Sequence, residues 1–176
     1  MQKYDQALLL QPRLSPHMWQ RGLALYYSDR YQECAAQFAV DISVNPNDTE
    51  ETIWHLMCLG RLSSLEVARS QILPVGDESR PVMRTALALF AGDGTQELLA
   101  EFLNPNDKRN SDNEMFYSLL YLALYNEVTR DVVMAQHYLS MAVSSKYALG
   151  TGQSDPMCQL AQVHMIRRGW RQKQEL

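Results

Sequence analysis

Tyr31-Gln32-Glu33-Cys34-Ala35-Ala36-Gln37-Phe38-Ala39-Val40-Asp41-Ile42-Ser43-Val44-Asn45-Pro46 is the stretch from which the fold is read. Its Phe38, Ile42 and Pro46 repeat Tyr4, Leu8 and Pro12, each pair 34 positions apart. An aromatic and an aliphatic residue one helical turn apart pack the same face, and a proline, lacking an N–H, ends the helix beyond them. Tyr31, Cys34, Phe38 and Ile42 stand at spacings of three and four, so one stripe faces a neighbouring helix. That neighbour is expected over Ser15 to Tyr27, joined by the turn Ser28-Asp29-Arg30. Gly22 falls where the two helices cross, a place for a residue whose backbone must be approached closely.

A period of 34 residues with these markers is that of the tetratricopeptide repeat (TPR), a helix–turn–helix unit that stacks on copies of itself. The pattern therefore predicts an all-α fold, a TPR-type helical-hairpin solenoid in which antiparallel helix pairs wind into a right-handed superhelix. Residues 1–12 are the end of a repeat whose first helix is missing, which suggests a truncated or processed chain. Residues 15–46 form one complete repeat. Cys34 takes a position that wants a small side chain, whereas Asp41 stands where alanine is usual, as Ala7 does in the first copy. Asp41 is read as either paired or exposed.

The rest of the chain is expected to belong to the same helical domain. Asn45-Pro46-Asn47-Asp48 is a turn, with Asn47 or Asp48 capping a helix that carries Ile53, Trp54, Met57 and Cys58 to Gly60. Divergent helical hairpins fill 48–103, with helices near Ser64 to Leu73, Ser79 to Ala91 and Thr95 to Leu103. Pro74-Val75-Gly76-Asp77 and Gly92-Asp93-Gly94 break them. After a polar loop, residues 111–146 repeat the hairpin pattern, with Phe116, Leu119, Leu120, Ala123 and Leu124 on the first helix. Ala135, Leu139, Ala142 and Val143 follow on the second, across a turn placed at Asn126 to Asp131. Ser154-Asp155-Pro156 caps a last helix within 154–170, proline being favoured at a first helical position.

Composition narrows the function classes. Apolar residues make up 46% and charged residues 20%, a globular balance, and the net charge of −4 disfavours a nucleic-acid binder. No run of about 18 apolar residues is present, which argues against direct membrane insertion. Cys34, Cys58 and Cys158 lie among apolar neighbours without zinc-like spacing and are expected to be buried free thiols, as in a reducing compartment. His17, His55, His137 and His164 fall in different helices and form no metal motif, and no nucleophile–base spacing marks an enzyme. Neither cofactor nor metal is expected.

Arg21-Gly22-Leu23-Ala24-Leu25-Tyr26-Tyr27, Asn45-Pro46-Asn47-Asp48 and Trp54 resemble the NlpI-type TPR lipoproteins of bacteria. Together with Arg80-Pro81-Val82-Met83-Arg84, Phe116-Tyr117-Ser118-Leu119 and His164-Met165-Ile166-Arg167-Arg168-Gly169-Trp170, they are more similar to a group of TPR proteins from plants, algae and protists, many with plastid leaders. The resemblance implies a non-catalytic scaffold or adaptor that binds other proteins, or alternatively a permanent structural or assembly subunit of a large complex. It also implies a plastid or other organelle as a compartment, with the cytoplasm otherwise. The lipid-acceptor cysteine of the bacterial lipoproteins is not matched, so their anchor is not carried over.

TPR stacks bind on the concave surface lined by first helices. Here that surface would hold Trp19, Leu23, Tyr26, Tyr27, Ile53 and Met57, aromatic anchors beside an adaptable methionine. The competing reading packs these residues into the core or against a preceding repeat. Their apolar character disfavours the basic clamp that holds the carboxylate tail of chaperones. Arg167, Arg168 and Arg171 offer a contact for an acidic partner, or complement the negative end of the last helix.

Overall fold

The computed structural model describes residues 2–107 and 110–170, and all regular structure among them is helical. The helices are α1 (Gln2–Leu10), α2 (Trp19–Tyr26), α3 (Tyr31–Val44), α4 (Thr49–Leu62), α5 (Leu65–Arg69) and α6 (Pro81–Ala91). They continue as α7 (Gln96–Ala100), α8 (Asp112–Val128), α9 (Val132–Val143), α10 (Lys146–Leu149) and α11 (Pro156–Arg167). The chain gathers into two compact units, Met1–Asp93 and Gly94–Leu176, which divide within the Gly92-Asp93-Gly94 break.

In the first unit α2, α3 and α4 pack in succession. The α2–α3 approach depends on Gly22: a Cβ there would lie 2.7 Å from two atoms of the Phe38 ring. Phe38 is itself buried, so its ring has little room to retreat. The turn between α2 and α3 closes with Asp29 at φ 56°, and the turn between α8 and α9 closes the same way with Arg130 at φ 72°. The helix expected from Ser15 begins only at Trp19. Pro12–His17 is a 3-10 segment instead, with Pro16 off helical geometry, because two prolines four apart remove N–H donors that an α-helix would use.

Capping accounts for the other boundaries. Asp48, one of the two candidates, caps α4 by accepting from the amides of Glu50 and Glu51. Ser64 and Thr95 cap α5 and α7, which are shorter than their apolar patterns predict. Gly92, at φ 97°, ends α6 in the left-handed conformation that glycine adopts without strain. Arg69 of α5 then donates from Nε to the Phe90 carbonyl at 2.9 Å, a cation on the negative end of α6.

In the second unit α8 and α9 form an antiparallel pair. A capping box of Ser111 and Glu114 starts α8. That helix runs through Val128, so the connection expected to be long reduces to Thr129–Asp131. The sequence pattern also gave no sign of α10. Asp155 caps α11 through the Met157 amide, while its other oxygen accepts from the hydroxyls of Tyr117 and Tyr147 at 3.0 and 3.1 Å. One carboxylate thus ties α8, α10 and α11. Gly152 lies against Tyr147 so closely that a Cβ would come within 2.5 Å of the ring.

The cysteine reading is corrected. Cys34 and Cys58 are joined as a disulfide between α3 and α4, their Cα atoms 5.9 Å apart and both residues buried. The packing of α3 against α4 brings the sulfurs together, and only Cys158 is a free thiol. Thiol titration of the denatured, unreduced protein should find one reactive group, rising to three after reduction. A count of three before reduction would remove the crosslink. Gly22→Ala tests the crossing: the gain in helix propensity is about 1 kcal/mol, while overpacking the Phe38 ring costs roughly 1–3 kcal/mol. Denaturant unfolding should therefore show a net loss of stability.

Candidate functional site

The six residues expected on a concave binding face are not an open surface. Leu23, Tyr26, Tyr27, Ile53 and Met57 are buried, and Trp19 is half-buried. Tyr26 meets Tyr27, Tyr31 and Trp54 edge to face with centroids 5.2–5.4 Å apart. Arg61 lies 5.1 Å above the Tyr31 ring. Nearly the whole circumference of α4 is covered, so residues placed on its open side by helical periodicity are core instead. Five of the six are thus enclosed within this unit.

The first unit also buries polar groups that the sequence pattern did not connect. Asp41 is buried and accepts from Gln37 Nε2 at 2.8 Å. The same Gln37 nitrogen reaches the Ser15 carbonyl at 2.7 Å, and Arg21 donates to Gln37 Oε1 at 3.0 Å and to Asp5 at 3.1 Å. This network settles the open reading of Asp41 in favour of a paired carboxylate, although its second oxygen has no hydrogen bond. Burial raises the Asp41 pKa, against the opposing effect of Gln37.

Glu51, on the first turn of α4, is buried with one oxygen unbonded. Burial first, then the charges of Asp48, Asp41 and Glu50, push its pKa up to about 8. Glu50, its neighbour in sequence, is paired instead with Arg80 at 2.8 Å. Buried His55 is pushed the other way, towards its neutral form.

The basic cluster divides. Arg168 turns inward and bonds through Nε to the buried carboxylate of Glu127 on α8, which also lies 3.5 Å from buried His164. Arg168 is therefore engaged in an ion pair within this unit. Arg167 is exposed, and Arg171 lies outside the described residues.

What the second unit does present is an apolar surface. Val143 of α9, Leu149 of α10, and Gln162 and Met165 of α11 line an open pocket of about 190 Å³. Beside it Leu149, Ile166 and Val163 are 61%, 55% and 44% exposed, and Val132, Val133 and Met141 of α9 are exposed as well. Three elements supply the lining: α9 and α11 pack against each other, and short α10 packs against α8 and α9, with Tyr147 bonded to Asp155 and set against Gly152. Its lining offers apolar contact and one amide, with no titratable side chain among the four residues. It can receive an apolar group and hydrogen-bond its neighbour.

Among the described residues no three His, Cys, Asp or Glu side chains group as a metal site, and no helix is long and apolar enough to cross a membrane. Buried Cys158 has its pKa pushed up to about 11 by burial and by Asp155, the opposite of an activated thiol. No protein-family model, curated protein or solved structure matches the chain.

Glu51 gives a stability prediction with a definite sign. Its folded-state pKa lies above that of an unfolded glutamate, so the folded state binds more protons between about pH 4.3 and 8. Stability should fall as pH rises through that window. Glu51→Gln should flatten the dependence and leave the protein more stable than wild type at pH 8. Urea unfolding at about pH 5, 7 and 9 checks it; a variant less stable than wild type at pH 8 would contradict it.

Proposed function

We propose that the chain is a TPR-type helical scaffold that binds partner proteins without catalysing a reaction, and that its second unit carries the binding face. The observation behind this reading is the exposed side of α9 and α11. These two helices contain no acidic residue and no lysine; Arg167 is their only Lys or Arg. Soluble surfaces ordinarily carry about a quarter to a third charged residues. Here valine, isoleucine, methionine and glutamine take that place around an open apolar pocket, the composition of a surface that another protein covers.

The 34-residue return and the Gly22–Phe38 crossing support the repeat assignment. The non-catalytic part of the reading rests on a pocket lining that cannot move a proton or attack a bond. The exposed valines and isoleucine equally suit a permanent subunit of a larger complex, with an organellar compartment following from the resemblance to plastid-leader proteins.

Affinity purification under mild conditions, with the wild type and a Val163→Asp, Ile166→Asp variant, tests the reading. Both positions are exposed, so folding should be nearly unchanged, within about 0.5 kcal/mol. The wild type should retain partners that the variant loses. Salt-sensitive partners at low stoichiometry identify an adaptor, and a fixed stoichiometric set identifies a subunit. Equal recovery by both proteins would remove α11 from the binding face.

A further inference from the structure

We propose that Asn47 is an acceptor for an N-linked glycan, added in the oxidising lumen of the secretory pathway before the first unit folds. This goes beyond the protein-binding reading and does not depend on it. In place of the plastid suggested by the resemblance, it assigns the chain a secretory route.

Two independent observations meet at this site. Asn47-Asp48-Thr49 is an Asn-x-Thr triplet whose middle residue is not proline, the acceptor signal for glycan transfer. The triplet alone says little, since it has meaning only in a chain that enters the secretory lumen. The Cys34–Cys58 disulfide supplies that context, because such crosslinks persist in oxidising compartments and are rare where thiols are kept reduced.

The folded geometry suits a carried glycan. Asn47 lies in the turn between α3 and α4, where Asp48 donates its amide to the Asn45 carbonyl at 3.2 Å. Gly76 donates in turn to the Pro46 carbonyl at 2.9 Å, and residues 43–47 are all exposed. The carbonyl end of the Asn47 side chain is the end set against Gly76: a Cβ there would come 1.8 Å from Oδ1 and 2.8 Å from Cγ. Nδ2, the atom that takes the sugar, is left on the side away from Gly76. A glycan leaves from there without displacing a core residue.

The hydroxyl that a transferase must read is placed differently. Thr49 is the first residue of α4 and is fully enclosed in the folded chain. Transfer therefore comes first, before α4 winds and before Cys58 reaches Cys34. In that step Asn47 Nδ2 attacks the anomeric carbon of an oligosaccharide held on a lipid diphosphate. The N–C bond forms and the C–O bond to the diphosphate breaks. One amide proton passes to a base of the transferase, and the lipid diphosphate departs.

The protein isolated from its own cells tests the proposal. Peptide N-glycosidase in heavy-oxygen water converts a glycosylated asparagine to aspartate carrying the heavy isotope, which mass spectrometry reads. The peptide spanning Asn47 should carry that label, in molecules whose Cys34 and Cys58 are crosslinked. An Asn47 peptide found only unmodified would overturn the proposal, whether or not the crosslink is present.

Translation of the full chain behind a secretory leader, with endoplasmic-reticulum membranes, tests the site and the order. Wild type and Thr49→Ser should gain a glycosidase-sensitive mass increase, and Asn47→Gln and Thr49→Ala should not. Added to detergent-opened membranes, the reduced and unfolded chain should be modified and the folded, oxidised chain should not. An unmodified wild type, or an increase that survives Asn47→Gln, would overturn the site. Equal modification of folded and unfolded chains would overturn the order.

Discussion

The first unit depends on the absence of one methyl group. Where α2 crosses α3, the Phe38 ring occupies the space a Cβ on residue 22 would need, so helix approach and ring burial are set together. That crossing helps place Tyr26 among Tyr27, Tyr31 and Trp54, through which α2, the start of α3 and α4 share one aromatic core. Interiors packed at crystal-like density transmit such constraints, because a shifted ring has no void to enter. The Cys34–Cys58 bond lies within the same packing, between α3 and α4.

Much of this was legible in the sequence, for physical reasons that can be named. The 34-residue return of an aromatic, an aliphatic and a proline located α3 to the residue, since helical spacing and a proline stop act locally. Gly22 was legible because few residues permit close backbone approach. Asp48 and Asp155 were readable as caps because capping depends on neighbours two or three positions away. The start of α2 was missed: the apolar pattern reaches back to Ser15, but backbone limits at Pro12 and Pro16 override it.

The site was far less legible, because burial is a property of surroundings and not of a helix considered alone. Periodicity assigns Ile53 and Met57 to one side of α4, yet cannot report that nearly every side of α4 is covered. The same limit hid the Asp41–Gln37–Arg21 chain, whose members come together across 16 residues of sequence. Arg168 illustrates it again: a terminal arginine suggested a surface contact, but its partner Glu127 lies 41 positions away. A usable signal did exist for the second unit, since the near absence of charge from Val132–Val143 and Pro156–Arg167 is visible in the sequence. It becomes informative once Val133, Val163 and Ile166 are seen to be exposed rather than buried.

Both units leave large apolar side chains at the surface, Leu9, Leu10 and Leu62 among them in the first, but in the second Leu149 stands open at the hollow that it lines with Val143, Gln162 and Met165. Hydrogen–deuterium exchange of the chain, alone and in complex with a co-purified partner, tests the placing of the binding face most directly. The account predicts slowed exchange in Val132–Val143, Lys146–Leu149 and Pro156–Arg167 on binding, with Trp19–Tyr26 and Thr49–Leu62 unchanged. Protection confined to those last two helices, with α9 to α11 unaffected, would contradict it and return the binding face to the first unit.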